Sequence, residues 1–188
     1  MDRRDLLRAF GSATALALLP TDTIAAWSRV AAGFRPTDGL TDAQLALVGA
    51  IADTILPRTD TPSATDVGVP AFVNVVVAEN HTDADRAAFL AGLDAIDAHS
   101  STNAGASFMQ LSPDARGREI EAIESSKDRR GDPARTYWRL KGLVLHGYFT
   151  SERVMKDVLH IEVMPGRFDG SAPMKIERAH PAGSGRHA

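Results

Sequence analysis

The sequence predicts an all-α protein: a single small helical domain, preceded by an N-terminal signal helix and followed by an extended C-terminal tail. Three observations carry that expectation. Apolar residues recur at three- and four-residue spacing in one stretch of the body after another, as on one face of a helix. Capping residues and prolines bound those stretches where helices begin and end. From Met164 onward the chain turns to Pro165-Gly166-Arg167-Phe168-Asp169-Gly170 and a Pro-, Gly- and His-rich end with no period at all. The organisation expected is a signal region at 1–32, a helical body at 33–163 and an extended or disordered tail at 164–188.

The first segment reads as an address. Arg3 and Arg4 are followed by Asp5, Leu6, Leu7 and Arg8, and then by the small, apolar run Ala9 to Leu19 closed by Pro20. A charged start and an apolar stretch of about a dozen residues fit an export signal and fall short of a bilayer span. Paired arginines point to the twin-arginine route, which carries folded cargo. Arg3, Arg4, Leu6 and Leu7 are the residues expected to carry the signal. No strict small-x-small cleavage motif follows; Thr23-Ile24-Ala25 and Ile24-Ala25-Ala26 are imperfect versions. Inefficient cutting and retention as an anchor are both open.

The body follows in order. After Trp27 and a linker at Gly33–Gly39, Thr41 is a good N-cap and Gln44 completes a capping box. Leu45, Val48, Ala52 and Ile55 keep helical spacing until Pro57 stops the run. Residues 57–68 are a loop by composition. The run from Pro70 through Val75-Val76-Val77 is β-branched enough for a strand, yet Pro70 suits a first helical turn; helix is the preferred reading, with strand open. Asp83 to His99 puts Phe89, Leu93 and Ile96 on one stripe, and a Ser-Thr-Asn-Gly linker is expected up to Ser107. Ser112-Pro113 opens another helix carrying Ile120 and Ile123. Lys127 to Pro133 is a charged turn. Ala134 to Tyr148 places Tyr137, Leu140, Val144, Leu145 and Tyr148 on a broad face, and Ser151 caps a last short helix.

Composition excludes several kinds of function. The 188 residues carry 21 basic and 24 acidic side chains, a formal charge of −3, which offers no basic footprint for nucleic acid. The absence of cysteine removes disulfides, thiolate nucleophiles and Cys-based metal sites. His81, His99, His146 and His160 stand apart, with no His-x-x-x-His pair; His146 reads as a packed or interface histidine. There is no Gly-x-Ser-x-Gly elbow and no glycine-rich phosphate turn. Glu119, Glu121 and Glu124 are expected on a solvated helix face, and Gly142 and Gly147 at close helix approaches. No catalytic, cofactor-binding or metal-binding residue is assigned. What remains is an aromatic segment, Tyr137-Trp138-Arg139 and Gly147-Tyr148-Phe149-Thr150-Ser151-Glu152. Core packing accounts for Tyr137 and Tyr148, while Trp138 and Phe149 fall beside the stripe and weigh equally as core or as anchors of a partner surface. Trp138, Tyr148, Phe149 and Phe168 form the set of partner-interface candidates.

Several stretches resemble, in order, the gluconate 2-dehydrogenase subunit 3 family, the small or gamma subunit of membrane-bound sugar and polyol dehydrogenases. They are Leu40-Thr41 with Ile51-Ala52-Asp53-Thr54-Ile55-Leu56-Pro57-Arg58-Thr59-Asp60-Thr61-Pro62-Ser63-Ala64, then Gly68-Val69-Pro70-Ala71-Phe72-Val73, then Gly147 to Glu152, then Pro165 to Gly170. The resemblance implies a helical accessory subunit that binds no cofactor itself. Its partner would be a large FAD-containing catalytic subunit of the glucose-methanol-choline type, with a cytochrome c subunit, bearing haem c, taking the electrons. It also implies export of the folded pair by the twin-arginine translocase to the periplasm, with membrane association through the complex or an uncleaved signal. Two other readings are an independent periplasmic binding or stress module and, less favoured, a stand-alone enzyme.

Overall fold

The capping residues named above set the helix starts in the computed structural model, which describes residues 21–126 and 131–161. Among those residues stand six α-helices and no strand: α1 (Thr21–Ala31), α2 (Asp42–Ile55), α3 (Val69–Asn80), α4 (Asp83–Ala104), α5 (Pro113–Glu124) and α6 (Ala134–Thr150). Single 3₁₀ turns at Thr65–Val67 and Phe108–Gln110 and a π turn at Val154–Val158 fill the connections. Arg3, Arg4, Leu6, Leu7 and Phe168 lie outside the described residues, as do most of the charged turn and the whole tail.

The capping box forms as read. Thr41 Oγ1 accepts the Gln44 amide at 3.2 Å, and Gln44 Oε1 accepts the Thr41 amide at 3.2 Å. Thr82 and Ser112 cap α4 and α5 in the same way, accepting from the amides of Asp85 and Ala115. Each such cap contributes about 1 kcal/mol by satisfying an orphan donor.

The valine-rich run is helical. Pro70 sits in the first turn of α3, and Val69, Phe72, Val73, Val75 and Val77 are all buried. A helix apolar on nearly every side is stable only when covered, and α3 packs against α1, α2 and α6. That burial overrides the strand preference of its valines. α4 differs from expectation at its far end. The Ser-Thr-Asn stretch is helix, not linker, and the chain turns only at Gly105, whose φ is 76°. Ser100, Ser101 and Thr102 each donate a hydroxyl hydrogen bond to the carbonyl four residues back, so they continue the helix instead of competing with it.

α6 is the axial helix, in contact with α2, α3, α4 and α5. Its inner face puts Tyr137, Leu140 and Val144 at zero exposure against Leu93, Ile96, Val48, Ile51 and Phe108 of the main core. Gly92 of α4 permits the α4–α6 crossing: a Cβ there would lie 1.8 Å from Thr136 Oγ1. Gly142, by contrast, faces open space, so the close approach expected of it is absent.

The carboxylates of α5 also depart from a simple solvated face. Glu121 is exposed, but Glu119 is buried and paired with His99 of α4. Glu124 is half-buried and accepts from Lys141 Nζ at 2.6 Å and from the Tyr137 hydroxyl. These bonds draw the Glu124 carboxyl below its ordinary pKa, Lys141 acting most strongly, while burial first and Glu124 second push the Tyr137 phenol up. The i, i+3 and i, i+4 positions that look outward on an isolated helix face neighbouring helices here.

Candidate functional site

One end of the bundle collects the stretches that the sequence holds apart. Residues 56–68 connect α2 to α3 and are tied down by Asp53 at the end of α2 and by bonds among themselves. Asp53 accepts the Thr65 amide at 2.8 Å and the Thr65 hydroxyl at 2.6 Å. Asp66 accepts the Ser63 amide at 2.9 Å and pairs with Arg58. The Ser63 amide first, and Arg58 with it, hold the Asp66 carboxyl below the usual carboxylate range. The loop is then fastened to α6, because the Tyr148 hydroxyl donates to the Pro62 carbonyl at 2.8 Å.

The start of α3 meets the end of α6 at the same place. Phe72 lies on Gly147, where an added Cβ would come within 2.7 Å of the Phe72 ring. The Gly-Val-Pro-Ala-Phe-Val and Gly-Tyr-Phe-Thr-Ser-Glu stretches are therefore neighbours in space. α1 closes over this junction. Trp27 stacks on Phe72 with ring centroids 5.0 Å apart and planes at 24°. Trp27 Nε1 donates to Thr150 Oγ1 at 3.0 Å, Thr23 Oγ1 is hydrogen-bonded to His146 Nε2 at 2.7 Å, and Arg29 pairs with Glu79. Ala26, Phe72 and Val75 form a second, smaller buried cluster here, flanked by Trp27, Val30 and Val76. Read as a packed or interface histidine, His146 is exposed, with one ring nitrogen bound to Thr23 of α1 and its ring tilted against Phe72 at 6.0 Å.

Between α1 and the segment after α6 runs an open groove of about 720 Å³. Its apolar lining comes from Trp27, Val30, Val67, Met155 and Ile161, and Asp66, Glu152, Arg153, Lys156 and Asp157 add charge. The last short helix is a π turn at 154–158, capped by Ser151 as read: its Oγ accepts the Val154 amide at 3.4 Å, and its hydroxyl donates to the Tyr148 carbonyl at 2.8 Å. Glu152 and Lys156 pair across that turn, which lowers the glutamate pKa and raises the lysine pKa.

The four aromatic candidates separate. Phe149 is 48% exposed, with its ring edge-on to Tyr148 at 5.4 Å. Tyr148 is 4% exposed and offers no face to a partner; its ring supports Phe149 and its hydroxyl holds the loop. Trp138 is half-buried against the main core, with Lys141 over its ring at 5.1 Å. Phe168 lies outside the described residues. Leu159, read with Val154 and Val158 as the apolar side of the last short helix, is instead 41% exposed, and Ile161, which the sequence did not single out, is 46% exposed. An apolar residue past the final capped turn is the signal that could have found Ile161. Among the described residues no three His, Asp or Glu side chains gather where a metal could be held, and no helix is long and apolar enough to cross a membrane.

Residues 42–166, two thirds of the chain, match the family model described as gluconate 2-dehydrogenase subunit 3. The chain belongs to that family. No curated protein and no solved structure matches it. The subunit 3 span takes in α2 to α6, the clamped loop and the groove wall at 150–161, whereas α1 precedes it. Of the segments that carried the resemblance, Gly68–Val73 and Gly147–Glu152 meet at the end of the bundle that receives α1, and the Tyr148 hydroxyl fastens the loop after α2 beside them, while Pro165–Gly170 lies outside the described residues.

Proposed function

We propose that the chain is the non-catalytic small subunit of an exported, FAD-dependent sugar or polyol dehydrogenase. In this reading it stabilises a glucose-methanol-choline type catalytic subunit and carries it, folded, through the twin-arginine translocase. The flavin belongs to that partner, and haem c to a possible cytochrome subunit that takes the electrons. The complex resides in the periplasm, at the membrane.

Family membership supports the place in a dehydrogenase complex. The observations that carry the docking part are three exposed apolar side chains, Phe149, Leu159 and Ile161, and a groove that Ile161 lines, with the turn at its wall held by the Ser151 hydroxyl. Exposed aromatic and aliphatic side chains on a pre-organised frame lose little entropy on binding, the requirement for an interface anchor. The twin arginines supply the escort part, since a flavoprotein loaded before export has to travel folded.

Co-expression of the chain with its flavoprotein, followed by fractionation, tests both parts. Replacing Arg3 and Arg4 by Lys leaves the flavoprotein in the cytoplasm; if it still reaches the periplasm, the escort role is wrong. The isolated chain should show no bound flavin absorbance and no sugar oxidation.

A further inference from the structure

We propose that α1 is a permanent part of the exported subunit, and that its docking shields the bonds after Ala25 and Ala26 from the leader peptidase. The inference rests on the export reading above and deepens it. The two imperfect small-x-small sites, Thr23-Ile24-Ala25 and Ile24-Ala25-Ala26, are the nearest thing to a cleavage motif after the apolar run. Both lie inside α1. Thr23 and Ala26 are 6% and 3% exposed, and Thr23 is bound to His146.

A peptidase takes its substrate as an extended strand, so it cuts segments that can leave their secondary structure. Extending residues 23–27 would unwind α1, break the Thr23–His146 and Trp27–Thr150 hydrogen bonds, unstack Trp27 from Phe72 and uncover Ala26. Cargo that crosses folded meets the peptidase with α1 already seated. Cutting at 25 or 26 then proceeds only through the small population in which α1 is open. The leader is retained, or removed ahead of α1.

The test uses the purified full chain and leader peptidase in detergent micelles, read by intact mass. A synthetic peptide spanning residues 1–35 serves as the unfolded reference. Cutting after Ala25 or Ala26 should be slower in the chain than in the peptide by about tenfold or more. The Phe72→Ala variant, which removes the seat for Trp27, should recover most of the peptide rate. Should that variant fail to fold, His146→Ala, which removes the bond to Thr23 and leaves both cleavage motifs unchanged, should give a smaller increase. Equal rates in chain and peptide, whether both fast or both nil, overturn the proposal. The assay does not depend on the route of export, so its failure is separable from that of the Arg3/Arg4 experiment.

Discussion

The main core and the α1 junction are built differently. The main core is closed by α2, α4, α5 and α6 with α3 at its side, and its large side chains reach zero exposure. The junction has three buried residues, three flanking apolar ones and a set of polar contacts. One region holds itself together by apolar volume; the other depends on a helix that arrives from outside the family span. The bundle is therefore held by buried apolar volume, and the end that faces the groove by the stacking and hydrogen bonds that seat α1. The two tryptophans fall one in each region, Trp138 on the main core and Trp27 on the junction. Trp27→Phe and Trp138→Phe single-tryptophan variants thus report the two regions separately.

The largest effect is expected in the core. Leu140→Ala should cost about 2–5 kcal/mol, seen as an equal fall in the denaturant midpoint with either tryptophan as reporter. Unequal shifts would mean that the two regions unfold independently. Trp27→Ala should cost about 1–3 kcal/mol in the docking of α1, read as faster amide exchange in residues 21–31. The midpoint followed by Trp138 should fall by the matching amount, because the two regions unfold together.

Phe149→Ala sharpens the contrast from the outside. At its exposed position the substitution should change stability by less than about 0.5 kcal/mol. It should weaken the flavoprotein complex by more than about 1 kcal/mol, near fivefold in Kd by titration. Trp138→Ala should do the reverse, costing stability through its packing on the core and leaving the affinity near that of the intact chain.

The smallest effect is electrostatic and belongs to the core. Glu124 has a folded-state pKa below its ordinary 4.5, so its contribution is fully present above 4.5 and is lost as pH falls below it. Glu124→Gln should accordingly be less stable than the unaltered chain at neutral pH, with the gap closing on acidification. Tyr137 has the opposite sense: its raised pKa makes its contribution present below 10 and lost on strong alkalinisation. Urea midpoints across pH check both.

Much of the fold was legible because helix ends are local events. Thr41, Gln44, Ser112, Pro113 and Pro70 each act within a turn of their own position, and each acts as read. The failures were tertiary. Ser100 to Asn103 read as linker because hydroxyl and amide side chains favour turns, yet the first three bond back to their own helix and Ser100 is buried. Glu119 read as solvated because its partner His99 lies on another helix. Of the site, Phe149 was visible as an aromatic off the helical stripe. The groove was not, because Trp27, Val67 and Ile161 meet only through folding. Tyr148 was named as an interface candidate although core packing accounts for it, and it is buried; the Pro62 carbonyl that anchors its hydroxyl is 86 residues away in sequence.

The central claim is that this subunit meets a flavin-bearing polypeptide through the groove end of the bundle. Its most direct test is mild affinity purification of the tagged full chain from the native host, with flavin absorbance and mass spectrometry of what accompanies it. An FAD-containing dehydrogenase chain should be recovered in fixed proportion with the intact subunit, and recovery should drop about fivefold with Phe149→Ala. A subunit that purifies without any flavoprotein, or that oxidises sugars unaided, contradicts the account.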